Sequence, residues 1–199
     1  MGAASARRTP ASAGSEDTST TTSPSHNCQS LRSQGMNEFK IYHSRDLRKH
    51  RSDTPGGVFG VTKCLRPRLP AINDWIAIEV VSALHFSVRN WGVGVAAFAI
   101  LLDHFHVLVG LPEHLTLRRW MHRLMSYVGS RTSSSLLSQE TRWQKNFHDR
   151  AVRSKKQHDF LIDYIHLNPV RKGLVRLPEQ WQHSSAQGLD WVSPVVDRG

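Results

Sequence analysis

The segment Trp91-Gly-Val-Gly-Val-Ala-Ala-Phe-Ala-Ile-Leu-Leu102 contains no charged residue and is apolar apart from the indole N–H of Trp91. It is too short to cross a bilayer as a helix, which needs about 20 apolar residues. A run of this length with two glycines reads instead as a buried strand, about 93–102. Asp103 supplies a turn, and a second strand follows over 104–110. Two consecutive strands at the centre of the chain require a sheet, so the flanking patterns decide what covers it.

Upstream, Val58-Phe-Gly-Val-Thr-Lys-Cys-Leu65 has strand composition and ends at the breaker Arg66-Pro-Arg-Leu-Pro70. Asn73 or Asp74 can cap a helix with Ile76, Val80, Ala83 and Leu84 at helical spacing, ending near Asn90-Trp91-Gly92. Downstream, Thr116 can cap a helix in which Leu117, Trp120, Met121, Leu124, Met125 and Val128 repeat at i, i+3, i+4, i+7, i+8 and i+11. Gly129 is expected to stop it, and a Ser-rich loop follows from Arg131 to about Glu140. Residues 143–153 resemble a strand with basic flanks. Ser154-Lys-Lys-Gln157 is a capping-box pattern opening a helix that Pro169 should limit, with Gly173 as the exit and a short irregular tail beyond. The order strand, helix, strand, strand, helix, strand, helix predicts an α+β two-layer sandwich, an antiparallel sheet with helices packed on it.

Residues 1–35 are a Ser/Thr/Ala/Gly/Pro mixture that cannot bury enough apolar surface to offset its ordering entropy, and are read as a disordered tail. Residues 36–56 form a basic lead-in, 57–187 the folded domain and 188–199 a C-terminal tail. The formal charge of +10 divides into +3 before residue 57 (8 Lys+Arg, 5 Asp+Glu) and +7 after it (18 and 11). Most of the excess therefore belongs to the domain and points to a polyanion, nucleic acid before membrane. Cys28 and Cys64 make neither a disulfide framework nor a C-x-x-C zinc or redox pair, and no export signal is visible. The expected compartment is the cytoplasm.

Three groups of residues offer chemistry. In His104-Phe105-His106 the two imidazoles face one side of a strand and Phe105 the other, which makes half of a metal site. The H-x-H pattern is common by chance in a chain with twelve histidines, so the pair alone assigns nothing. In Asp163-Tyr-Ile-His-Leu-Asn-Pro169, Tyr164 and Asn168 share one helix face; a packed tyrosine and a C-cap asparagine would give the same pattern. Basic residues cluster at Arg118, Arg119, His122 and Arg123, at Arg150, Arg153, Lys155 and Lys156, and at Arg171, Lys172 and Arg176. Two of these clusters flank Tyr164 and argue for a phosphate track. His148 and Asp149 form a further polar pair in a strand context, whereas Trp75, Trp91, Trp120 and Trp181 read as core.

Taken together, Leu101-Leu-Asp-His-Phe-His-Val-Leu-Val109, Trp143-Gln-Lys-Asn-Phe-His-Asp-Arg-Ala-Val-Arg153, Asp163-Tyr-Ile-His-Leu-Asn-Pro-Val-Arg-Lys-Gly-Leu-Val175 and Trp181-Gln-His-Ser-Ser185 resemble the REP-associated tyrosine transposases, single-tyrosine HUH endonucleases. The resemblance covers about 57–187, and Leu102 stands where the family usually has proline. It implies a ferredoxin-like sandwich with the histidine pair on a central strand. It also implies Tyr164 as nucleophile and His104, His106 and Asn168 as ligands of one Mg²⁺ or Mn²⁺. Asp103 would stand behind them, and Arg118, Arg119, Arg123, Arg150, Arg153, Lys155, Lys156, Arg171 and Lys172 would contact DNA. By their own pattern His148 and Asp149 could back the metal ligands, contact DNA or make only a structural hydrogen bond. The implied reaction is cleavage and rejoining of single-stranded DNA at hairpin-forming repeats through a 5′-phosphotyrosine. Two other readings compete with it: a non-cleaving hairpin-binding protein domesticated from a transposase, and a small-molecule metal hydrolase using the H-x-H pair. The sequence leaves the oligomeric state, monomer or dimer, open.

Overall fold

The computed structural model describes residues 55–132 and 142–193. The tail expected at 1–35, most of the basic lead-in, the Ser-rich loop at 133–141 and residues 194–199 lie outside the described residues. Four strands, β1 (Pro55–Cys64), β2 (Gly94–Ile100), β3 (His104–Thr116) and β4 (His148–Val152), form a sheet of order β2-β3-β1-β4. Every neighbouring pair is antiparallel. With α1 (Asp74–Trp91), α2 (Leu117–Thr132) and α3 (Lys155–Arg171), the chain order is the one its patterns predict. It is the ferredoxin-like arrangement.

Strand alternation assigns the two faces. Phe59, Val61, Phe98, Ile100, Phe105, Val107 and Val109 meet Ile76, Val80 and Leu84 of α1 and Leu117, Trp120, Leu124 and Val128 of α2 in the main core. The opposite face presents Val58, Ala97, Ala99, Leu101, Leu108 and Val152 to Ile165 of α3. Gly60 lets α3 seat close on this face: a Cβ there would stand 3.1 Å from Leu161 Cδ1. The third helix thus covers the second face of what the sequence predicts as two layers.

Local signals set most boundaries. The Asn73 side chain accepts the Ile76 N–H at 3.0 Å, and Gly92 closes α1 at φ 66°. Thr116 Oγ1 accepts the Arg119 N–H at 3.2 Å, and Ser154 Oγ accepts the Gln157 N–H at 3.3 Å.

Five expectations need correction. Gly129 does not end α2, which runs to Thr132 because buried Val128 and the Thr132 Oγ1–Val128 O bond (2.7 Å) outweigh the roughly 1 kcal/mol that glycine costs. Pro169 does not end α3 either; it is buried within the last turn, and the Lys172 N–H bonds Asn168 O just beyond it. The strand expected over 143–153 contracts to His148–Val152, because Lys63 Nζ takes the carbonyls of Gln144 (2.6 Å) and Asn146 (3.4 Å). Finally, the domain continues past 187. The Ile100 N–H bonds His183 O and the Ser193 N–H bonds Val95 O, so the C-terminal segment covers the exposed edge of β2. Trp191 stacks on Phe98 with ring centroids 5.5 Å apart. Nor are all tryptophans core: Trp120 is fully buried, Trp75 is exposed, and Trp91 and Trp181 are half-buried.

Burial pushes Lys63 down from 10.5 to about 8. The fold thus disfavours the protonated amine, and between about pH 8 and 10.5 the unfolded chain binds the additional proton. Stability from this group therefore rises with pH across that window. The stability difference between wild type and Lys63→Met, measured by urea denaturation, should shift in favour of wild type between pH 7.5 and pH 10. A pH-independent difference would refute the shift.

Candidate active site

The site begins with the strand period. His104 and His106 lie on the α3 face of β3, and Phe105 between them enters the main core. His104 Nε2 and His106 Nε2 are 3.1 Å apart, and both rings are almost wholly buried. The other nitrogen of each ring is engaged. His104 Nδ1 lies 2.5 Å from Asp103 Oδ1, and His106 Nδ1 lies 2.7 Å from Thr62 Oγ1. An ionised Asp103 can only accept, so His104 carries a proton on Nδ1. Burial pushes the Asp103 carboxyl up, but the His104 bond and charge and the nearby Lys172 outweigh it and hold the group below the usual carboxylate range. Burial, with His104 and Lys172, pushes His106 well below the ordinary imidazole value. His106 is therefore neutral at physiological pH.

The helix supplies the rest. Asn168, buried on α3, places its amide 3.1 Å from His106 Nε2. The two ends of an amide interchange by a flip, so Oδ1 can occupy that place. One turn earlier, the Tyr164 ring meets the His106 ring edge-on at 5.5 Å. The Arg171 guanidinium lies over the Tyr164 ring, its Cζ 5.3 Å from the ring centroid, and Phe160 stacks on the same ring at 6.4 Å.

Two imidazoles and an amide converge on one point, with the outer ring nitrogens held by Asp103 and Thr62. Such a donor set fits a divalent cation that keeps its full charge and open positions. Among the described residues no three His, Cys, Asp or Glu side chains form a metal cluster. The set here depends on the amide.

The structure brings His104, His106, Asn168, Tyr164, Asp103, Arg171 and Lys172 together. Thr62 and Phe160 were not legible: a threonine in a strand is ordinary, and only the pairing of Thr62 with His106 gives it a role. His148 pairs with Thr62 on its other side and shares the α3 face, whereas Asp149 alternates to the face of the main core and does not stand behind the ligands. Arg150 lies on the His148 side. Arg153, Lys155 and Lys156 are exposed around the start of α3, with Lys155 Nζ bound to Asp159 at 2.5 Å. Lys155 lies about 14 Å along the helix from Tyr164. Arg118, Arg119 and Arg123 belong to α2, across the sheet from the site, and do not join it.

The family model "Transposase IS200 like" matches residues 58–168. The chain is 29% identical over 150 residues to a Haemophilus influenzae protein described as a REP-associated tyrosine transposase, covering 68% of this chain and 82% of that one. It is also 29% identical over 111 residues to an Escherichia coli REP-associated tyrosine transposase, covering 51% and 64%. A solved structure of a REP-associated tyrosine transposase bound to a REP hairpin aligns with TM-score 0.57 and 26% identity, over 72% of this chain and 89% of that one. No helix among the described residues is long and apolar enough to cross a membrane.

Proposed function

Since this chain belongs to the IS200-like transposase family, we propose that it cleaves and rejoins single-stranded DNA beside foldback hairpins, through a covalent bond to Tyr164. The observation that carries this reading is the seating of Tyr164 and Asn168, one helical turn apart, against the inward-facing His104–His106 pair. The Tyr164 Oη attacks the scissile phosphorus. The P–O3′ bond breaks, the 3′ oxygen leaves as a free hydroxyl after taking up a proton, and the 5′ phosphate stays on the tyrosine. Attack by a 3′ hydroxyl on the phosphotyrosine reverses these steps and rejoins a strand. The covalent link conserves the bond energy, so no nucleotide cofactor is required.

His104, His106 and Asn168 would hold one Mg²⁺ or Mn²⁺, which when bound polarises the scissile phosphate as a Lewis acid. Asp103 and Thr62 orient the two imidazoles. Arg171, over the tyrosine ring, and Lys172, close enough to depress His106, supply fixed positive charge where the phosphate must sit. Arg150, Arg153, Lys155 and Lys156 hold the strand to either side. The hairpin in the related solved structure supports a folded repeat as the substrate.

The test is incubation of the full chain with single-stranded DNA carrying a hairpin from the gene's own flanks, with and without Mn²⁺. A denaturation-resistant protein–DNA species and a new free 3′ end, both lost on chelation, are expected. Tight hairpin binding with no adduct under any divalent metal would instead establish a non-cleaving binding protein.

A further inference from the structure

We infer that the outer surface of α1 and α2 is a second nucleic-acid contact, an arginine-edged aromatic platform for unpaired bases across the sheet from Tyr164. It rests on the transposase reading, since it assigns a further stretch of the same substrate. The α2 sequence has four arginines, at 118, 119, 123 and 131, and no carboxylate; Glu79 of α1 pairs with Arg131 at 3.6 Å, which leaves the excess charge at 118, 119 and 123. Arg118, Arg119, His122 and Arg123 line one groove. Arg123 also joins that groove to an aromatic patch, its Cζ lying 5.8 Å from the Trp91 ring. From there the rings are continuous. Phe86 meets Trp91 edge-on at 5.6 Å and Tyr127 at 4.8 Å, and Arg131 lies 5.3 Å over Tyr127 while donating to its hydroxyl at 3.1 Å. Phe86 is 36% exposed, and Trp91 and Tyr127 are half-buried.

Aromatic faces accept any unpaired base, and the guanidinium groups around them match a phosphate backbone. A protein partner fits less well, because interface cores are depleted of charge and a second copy of this surface would repel the first. A duplex fits less well too, since its bases already stack on each other. The sheet lies between this platform and Tyr164, so one strand reaches both only by passing a sheet edge. A short oligonucleotide reaches one.

The experiment compares binding of an oligo-dT of about 30 nucleotides with that of a hairpin-flank oligonucleotide of about 8. The proteins are wild type, Phe86→Ala/Tyr127→Ala, whose folding a thermal melt checks because Tyr127 packs on the core, and Arg119→Glu/Arg123→Glu, whose side chains are exposed. Affinity for the long strand should fall about tenfold or more in both variants, with a shallower salt dependence in the arginine pair, while the short strand stays within about twofold. Equal losses for both lengths, or no loss for the long one, overturn the platform. So does a variant that changes the sedimentation state without changing DNA affinity, which would mark a protein interface. A wild type that forms the tyrosine adduct beside variants of undiminished affinity removes the platform alone. A wild type that binds neither strand removes the transposase reading with it.

Discussion

Tyr164→Phe should lower formation of the covalent protein–DNA adduct by about 10⁴-fold or more while hairpin binding stays within about twofold. The substitution removes only Oη. The ring keeps its edge contact with His106 and its stacking on Phe160, and it remains beneath the Arg171 guanidinium. Lost activity therefore cannot be assigned to lost folding, which a thermal melt checks directly. The chain has three tyrosines. Tyr127 lies across the sheet with its hydroxyl held by Arg131, and Tyr42 falls outside the described residues. Adduct formation by Tyr164→Phe would move the nucleophile elsewhere and dismiss the geometry of α3 as its carrier. Retained cleavage without a covalent species would point to water as the attacking group.

The second large effect concerns stability. Phe105→Ala should destabilise the domain by about 3–5 kcal/mol, read as a lower urea midpoint with an unchanged slope. Phe105 is completely buried in the main core and packs edge-on against Trp143 at 5.5 Å. Its removal leaves a cavity that a sheet on one side and two helices on the other cannot collapse to fill. Against a typical total of about 5–15 kcal/mol, that loss is severe. The neighbouring Leu102→Ala should stay within about 0.5 kcal/mol, because Leu102 is 45% exposed in the turn before β3. Similar midpoints for the two variants would contradict the strand alternation that separates Phe105 from the histidines. The two large predictions thus test opposite sides of one sheet, the α3 side at Tyr164 and the main core at Phe105.

The histidine pair was legible because a strand has period two, which sends Phe105 inward and both imidazoles the other way. The α2 stripe was legible for the corresponding reason at period 3.6, and every stripe residue but Met125 is buried. What misled was local chemistry read without its neighbours. Gly129 and Pro169 signal helix ends, but packing of Val128 and burial of Pro169 carry both helices past them. The Trp181–Ser185 ending looked like a tail because nothing in sequence marks β2 as an edge. In the structure, Trp181 Nε1 donates to Ile100 O at 2.7 Å and Ser185 Oγ accepts the Phe98 N–H at 2.8 Å, so these side chains complete that edge.

By itself the sequence determined the order of elements, the caps at Asn73 and Ser154, and which residues can share a face. These are local properties, fixed by backbone periodicity and by hydrogen bonds spanning three or four residues. Only the tertiary structure decided that Thr62 backs His106, that Asp149 turns away, and that Asn168 arrives beside a histidine 62 positions earlier in the chain. It also placed the arginines of α2 on the far layer from those of α3. Strand register and the side of the sheet on which each helix lands arise from packing between distant segments, and no local pattern encodes them.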